Sequence, residues 1–134
     1  MKYYFDTSVW IAYFDKEEFY HKEAVLWFEK IVKETHELYV SDLVDEEMGE
    51  RSSFKDYPAM SRRLCIHSTV EREDREYARI LSRKYRLPFK DIVHILHAKR
   101  NNFIAVSADI THWPKIARII GFQSFCYISD IRSP

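Results

Sequence analysis

The stretch that decides the fold is MKYYFDTSVWIAYFD, residues 1–15. Its aromatic run, Tyr3 to Phe5, is suited to a buried β-strand, and Asp6 follows where the apolar run ends. Thr7 and Ser8 are good helix caps, and the apolar residues after them predict a helix. Because ligands of open α/β sheets bind outside the carboxyl ends of the strands, Asp6 is a candidate functional residue.

Length and composition place the chain among ordinary globular proteins. Its 134 residues, 46% hydrophobic and 31% charged, fit one compact domain, which we expect to span residues 1–134. The 21 basic and 21 acidic side chains cancel. A nucleic-acid partner would therefore have to be attracted by a local patch of charge, since the net charge gives no long-range attraction.

Cysteine usage and hydropathy indicate in which cellular compartment the protein is expected. Cys65 and Cys126 lack metal-ligand spacing, and two thiols favour a reducing compartment over a disulfide framework. The sequence shows no signal peptide, lipidation motif or long apolar span. We therefore expect a cytoplasmic protein that has no membrane segment.

Strand-like and helix-like segments alternate along the chain. Strands are predicted at residues 3–5, 37–41, 65–70, 103–107 and 122–128. Helices are predicted from residue 7, at 19–34, from 42 to an end between 49 and 55, and at 58–64, 71–85, 88–100 and 113–120. This alternation favours an α/β fold, a single-domain α/β/α sandwich around a central, mainly parallel sheet of four to five strands.

Four acidic residues stand where a solvated charge is not expected. Asp6 and Asp109 each follow a predicted strand, so both belong at the carboxyl edge of the sheet. Glu47 points with the apolar stripe of its helix, whereas Glu46 falls on the polar face. Asp91 lies in the first turn of its helix and shares a face with inward apolar residues. We expect these acids to meet in space.

Carboxylates that are buried together raise one another's pKa and lose their hydration unless a cation lies between them. Oxygen ligands without a Cys or His pair select a hard ion, Mg²⁺ or Mn²⁺. Each acid also has an ordinary explanation: Asp6 and Asp109 as cap or turn residues, Glu47 in a salt bridge, and Asp91 as a first-turn charge. Four independent coincidences would be needed for all these explanations to hold, which favours a metal site.

The same residues fall in four blocks that resemble PIN-domain ribonucleases, in the expected order and over nearly the whole chain. The blocks are the first strand with Asp6-Thr7-Ser8, the segment from Ser41 to Met48 with its inward Glu47, Asp91 with the following IVHILHA, and FIAVSAD ending at Asp109. One departure occurs in the fourth block and another just after it. Ser107 stands where Thr is common, and His112-Trp113 stands where another acid or a Phe often appears.

The resemblance implies a metal-dependent ribonuclease in which Asp6, Glu47, Asp91 and Asp109 hold one or two Mg²⁺ or Mn²⁺ ions. Small single-domain PIN proteins are most often VapC-like toxins, so it also implies the toxin of a type II toxin-antitoxin pair, an antitoxin partner and a homodimer. Two alternatives stay open. One is an rRNA- or tRNA-processing PIN nuclease, and the other is a catalytically silent PIN module that serves as an RNA- or protein-binding scaffold.

Other polar residues are expected to support this site. Ser8 and Ser107 would orient the acids or the substrate, or act only as local caps. The candidate RNA phosphate contacts are basic residues after Glu47 and after Asp91, although such runs are often plain solvated faces. They are Arg51, Lys55, Arg62, Arg63, Lys99 and Arg100.

Three histidines flank the acids. His94, His97 and His112 are interpreted as structural or substrate-facing residues, because the acidic set is complete without them and imidazole prefers softer metals. A phosphotransferase of the haloacid dehalogenase kind would need a second Asp where Ser8 stands.

Overall fold

A computed structural model describes residues 1–51 and 53–131 of the chain. The strands are β1 (Lys2–Phe5), β2 (Glu37–Ser41), β3 (Cys65–Ser68), β4 (Ile104–Ser107) and β5 (Phe125–Tyr127). The α-helices of the described ranges are α1 (Thr7–Phe14), α2 (His21–Lys33), α3 (Asp42–Gly49), α4 (Tyr57–Leu64), α5 (Arg72–Tyr85), α6 (Phe89–Arg100) and α7 (Trp113–Ile120). The predicted alternation of strands and helices is confirmed.

The five strands form one sheet in the order β3-β2-β1-β4-β5, and every neighbouring pair is parallel. The chain first builds the sheet outward on one side of β1 and then returns to add β4 and β5 on the other side. β1 and β4 therefore flank the point where the strand order reverses. In such a sheet the crevice at this point is the preferred ligand site.

Residues of β1 alternate between the two faces of the sheet, as a strand requires. Phe5 packs on Phe28 of α2 with ring centroids 5.0 Å apart. Tyr4 points to the other face, where its ring lies 5.4 Å from that of His97 on α6. Both β1 side chains are fully buried, so helices cover the sheet on both faces and the predicted α/β/α arrangement is confirmed.

Helix ends follow local chemistry, and one predicted cap is wrong. The side chain of Asp6, in place of Thr7 or Ser8, caps α1 by accepting a hydrogen bond from the backbone N–H of Val9. Gly121 ends α7 where the sequence predicts it, in the left-handed conformation with φ of 79°.

Several predicted elements are shorter than expected, among them β3, which ends at Ser68 where the sequence predicts a strand to residue 70. Among the described residues, α3 ends at Gly49 and does not continue over 51–55. The last strand covers only Phe125–Tyr127, because the backbone N–H of Phe122 still bonds to the carbonyl of Ala117 in α7. The chain therefore reaches the sheet three residues later than the apolar pattern predicts.

No helix of the described residues combines the length and the apolar character that a membrane span requires.

Candidate active site

Asp6 lies where β1 ends and α1 begins, and its carboxylate is 3% exposed. Its Oδ1 accepts hydrogen bonds from Ser8 Oγ at 2.5 Å and from the N–H of Val9 at 3.3 Å. Its Oδ2 accepts a hydrogen bond from Ser107 Oγ at 2.6 Å. Burial nevertheless raises the pKa of Asp6 above its ordinary value, because these hydrogen bonds offset only part of the lost hydration.

The two serines fasten the loop after β4 to the same carboxylate. Ser8 Oγ accepts a hydrogen bond from the N–H of Ala108 at 2.9 Å, and Ser107 Oγ accepts one from the N–H of Asp109 at 3.0 Å. Both hydroxyls thus use their proton on Asp6 and a lone pair on the loop. As a result, the two serine hydroxyls link the backbone around Asp109 to the carboxylate of Asp6, at the point where the strand order reverses.

Asp91, Asp109 and His112 form the tightest group of possible metal ligands in the described part of the chain. One ligand atom from each residue lies within 4.8 Å of the others. His112 Nδ1 is 3.3 Å from Asp109 Oδ2 and 3.8 Å from Asp91 Oδ2. The side chains of Asp91 and Asp109 are 24% and 22% exposed, so the group opens toward solvent.

The two aspartates of this group differ in protonation. Burial, with the adjacent Asp109 and the charges of Asp6 and Glu47, raises the pKa of Asp91 to about 8. Burial alone would also raise the pKa of Asp109, but the backbone N–H groups of His112 and Thr111 and the bond to Asp91 lower it below its ordinary value. One proton therefore remains on Asp91 at neutral pH and is shared with Asp109.

Glu47 lies on α3 with its side chain 19% exposed, facing inward as its helical position predicts. Its Oε1 accepts hydrogen bonds from Thr7 Oγ1 at 2.7 Å and from His94 Nε2 at 2.8 Å. Burial alone would raise the pKa of Glu47, but the His94 and Thr7 hydrogen bonds outweigh burial and lower the pKa. Glu47 is thus held in its ionised form.

The structure therefore brings the four predicted acids to one edge of the sheet in two arrangements. Asp91 and Asp109 touch, whereas Asp6 and Glu47 lie outside the 4.8 Å group but close enough to raise the pKa of Asp91. Within residues 1–51 and 53–131, no Lys or Arg forms an ion pair with any of the four.

Carboxylates that no Lys or Arg neutralises are the donors that a hard divalent cation takes. The residues present therefore fit such an ion. A proton retained by Asp91 removes one of the two negative charges, which explains how the pair is tolerated without a cation.

Sequence reasoning missed three members of this site. Thr7 and His94 both bind Glu47, and His112 contacts both Asp91 and Asp109. His97 is structural as interpreted, since it is fully buried and bonds to Ser68 at 2.8 Å. The position of His112 at the start of α7, three residues after Asp109, was the available signal.

The predicted phosphate contacts do not share one surface. Arg51, Lys55 and Arg62 line a cavity of about 490 Å³ beside the end of α3, the helix of Glu47. Arg63 lines a different cavity, of about 640 Å³, together with residues of α1 and α2.

The two basic residues at the end of α6 are engaged elsewhere. Arg100 makes a two-pronged ion pair with Asp74 at 2.7 and 2.9 Å, and Lys99 Nζ donates to the carbonyl of Ile120. Asp91 lies at the opposite end of the same helix, so Lys99 and Arg100 belong to the helix packing around α5 and α7.

The family model of the PIN domain matches residues 3–119, which include all four acids and both serines. The chain belongs to the PIN domain family. The predicted resemblance to the PIN domain family is thereby confirmed.

Solved structures of VapC toxins have the same fold. VapBC2 from Rickettsia felis, solved bound to a promoter DNA fragment, matches with a TM-score of 0.66 and 14% identity over 95% of this chain and 98% of the other. VapC20 of Mycobacterium tuberculosis, described as a toxin that cleaves the sarcin-ricin loop, matches with a TM-score of 0.63 and 18% identity over 92% of this chain and 98% of the other. No curated protein matches the chain in sequence.

Proposed function

We propose that this PIN protein is a metal-dependent ribonuclease and the toxin of a toxin-antitoxin pair. The observation that carries the proposal is the meeting of Asp6, Glu47, Asp91 and Asp109 at the strand-order reversal without a Lys or Arg partner among the described residues. Family membership and the VapC fold support the same function.

Asp6, Glu47, Asp91 and Asp109 would hold a divalent cation, and His112 lies beside the Asp91–Asp109 pair. When bound, Mg²⁺ or Mn²⁺ would activate a water for attack on a phosphodiester and offset the charge that develops on the phosphate. Asp91 gives up its proton on loading, because both carboxylates of the pair are then ionised.

The other residues hold the site in shape. Ser8 and Ser107 fix both oxygens of Asp6 and the loop of Asp109, so that the acids at the ends of β1 and β4 stay in one geometry. Arg51, Lys55 and Arg62 would contact RNA phosphates along the cavity beside α3, and thereby bring an anionic substrate to an acidic site.

The biological setting of the proposal follows from family membership. Residues 1–134 would act as one nuclease domain in the cytoplasm, as a homodimer that an antitoxin protein holds inactive. An rRNA- or tRNA-processing role uses the same chemistry. A catalytically silent scaffold is disfavoured because the acidic set is complete.

The test is RNA cleavage by the purified protein with Mn²⁺, Mg²⁺ or Zn²⁺, compared with Asp91→Asn and Asp6→Asn. We expect cleavage by the parent protein with Mn²⁺ or Mg²⁺, and its loss in both variants. Cleavage that persists unchanged in both variants would assign the activity to a contaminant. A folded parent protein that cleaves no RNA from a panel of tRNA, rRNA fragments and single-stranded oligonucleotides would support the scaffold alternative.

A further inference from the structure

A chain of buried hydrogen bonds runs from Glu47 into the middle of the sheet. His94 lies on α6, one turn after Asp91, and is 2% exposed. Its Nε2 is 2.8 Å from Glu47 Oε1, and its Nδ1 is 2.6 Å from the hydroxyl of Tyr4 on β1. The Tyr4 hydroxyl is in turn 2.8 Å from Ser41 Oγ at the end of β2.

The donors and acceptors of this chain fit one direction of hydrogen bonding. The N–H of Val44 donates to Ser41 Oγ, and the Ser41 hydroxyl donates to Tyr4. Burial raises the pKa of Tyr4 far above its ordinary range, so its hydroxyl keeps a proton to donate to His94 Nδ1. His94 then carries its proton on Nε2 and donates it to the ionised Glu47.

The two carboxylate oxygens of Glu47 differ in their hydrogen bonding. Both hydrogen bonds to Glu47, from Thr7 and from His94, reach Oε1. Among the described residues, no hydrogen bond reaches Oε2. The carboxylate is therefore held by one oxygen from two directions, while the other oxygen is left for a ligand.

We propose that His94, oriented by Tyr4 and Ser41, is a positioning residue that fixes the carboxylate of Glu47 so that Oε2 faces a divalent cation. The inference rests on the proposed function, because it assigns the free oxygen to a metal. It adds a contribution from the core: β1, β2 and α6 jointly set the direction of a side chain that α3 carries.

The chain contains a matched comparison for His94. His97 lies three residues further along α6, is also fully buried and also packs against the Tyr4 ring. Its hydrogen bonds go to Ser68 and to Asn101, and none reaches an acid of the site. Replacing His97 therefore disturbs the same region of the core without releasing Glu47.

The experiment measures Mn²⁺ binding to the metal-free, RNA-free protein by calorimetry, with thermal unfolding of each variant as a control for folding. We expect His94→Phe to weaken Mn²⁺ binding about 10- to 100-fold, the usual effect of losing a residue that orients a metal ligand. His97→Phe should bind Mn²⁺ like the parent protein even where its unfolding temperature falls by a similar amount. His94→Gln, which keeps an N–H donor, should bind more tightly than His94→Phe.

A second variant keeps the test valid if His94→Phe does not fold. Tyr4→Phe removes one hydroxyl and keeps the ring, and we expect it to weaken Mn²⁺ binding about fivefold, the effect of one hydrogen bond. Parent-like Mn²⁺ affinity in folded His94→Phe or Tyr4→Phe would overturn the inference, as would an equal loss in His97→Phe. A parent protein that binds no Mn²⁺ would instead overturn the proposed function.

Discussion

The two halves of the acidic site are built in opposite ways. Asp6 and Glu47 lie on the interior side, and hydroxyls, backbone N–H groups and an imidazole fix them. The side chains of Asp91 and Asp109 are 24% and 22% exposed, against 19% for Glu47, and the raised pKa of Asp91 leaves a proton between the two aspartates. The geometry of Asp6 and Glu47 is therefore fixed before a cation binds. The protonation of the Asp91–Asp109 pair is expected to change when a cation binds.

This difference shows how a small fold can keep four acids together. Hydrogen-bond donors stabilise the buried carboxylates at a fixed geometry, so those acids need no cation to fold. Asp91, which accepts no hydrogen bond from a backbone N–H of the described residues, keeps a raised pKa and remains ready to exchange its proton for a divalent ion. The following substitutions separate the two halves, in order of decreasing effect.

The largest effect is expected for Asp91→Asn. The variant removes one charged ligand from the open half, and we expect RNA cleavage to fall about 10²- to 10⁴-fold, since a bound cation supplies several kcal/mol of transition-state stabilisation. Cleavage rates at saturating Mn²⁺ would measure the loss. Asp91→Asn with parent-like cleavage would remove Asp91 from the active site.

Glu47→Gln tests the fixed half against a neighbour on the same helix. The amide keeps the size of the side chain but loses its charge, and we expect cleavage to fall about 10²-fold. Glu46→Gln is the matched control, because the side chain of Glu46 is exposed and forms an ion pair with Arg75. Equal cleavage by the two variants would contradict the inward role of Glu47.

The stability of the metal-free protein should depend on pH through Asp91. Its pKa is about 8 in the folded state and near 3.8 when unfolded, so folding takes up a proton between these values. The stability contribution is full below pH 4 and falls as pH rises through 8. We expect the free energy of unfolding of the parent to fall by about 2–3 kcal/mol relative to Asp91→Asn between pH 6 and pH 8, at about 1.4 kcal/mol for each pH unit.

Urea unfolding in the presence of EDTA at pH 6, 7 and 8 measures this difference. Each pH uses the same two proteins, so titrations common to both cancel. Parallel stability curves for parent and variant would mean that Asp91 is ionised in the folded, metal-free protein.

The smallest effect is expected for adjacent arginines on α4. Arg62 lines the cavity beside α3, whereas Arg63 lines the cavity beside α1 and α2. We expect Arg62→Ala to weaken binding of a single-stranded RNA a few-fold and to reduce the salt slope by about 0.7, the effect of one phosphate contact. Arg63→Ala should leave both the RNA affinity and the salt slope unchanged. The reverse result would place the RNA on the other side of α4.

Much of this fold could be predicted because its signals are local. An aromatic run followed by Asp6 predicted the strand and the acid at its end, and Gly121 predicted the end of α7. The inward direction of Glu47 followed from its helical position beside Met48, which is buried. Each of these features depends on residues within one or two helical turns.

The remaining features depend on partners that are distant in sequence. Every residue of α6 from Ile92 to Ala98 is buried, so periodicity could not tell that His94 meets Tyr4 and Glu47. The sequence could have predicted that Arg62 and Arg63 line different cavities, because consecutive residues of a helix do not share a face. Grouping them by charge alone overlooked that geometry.

The most direct test of the account is proton release on Mn²⁺ binding. Calorimetric titration of the metal-free protein at pH 7, in two buffers of different ionisation enthalpy, counts the protons released. We predict about one proton released per bound Mn²⁺ in the parent protein, because Asp91 is protonated before loading, and almost none in Asp91→Asn. Mn²⁺ binding without proton release, or no Mn²⁺ binding at all, would contradict the account.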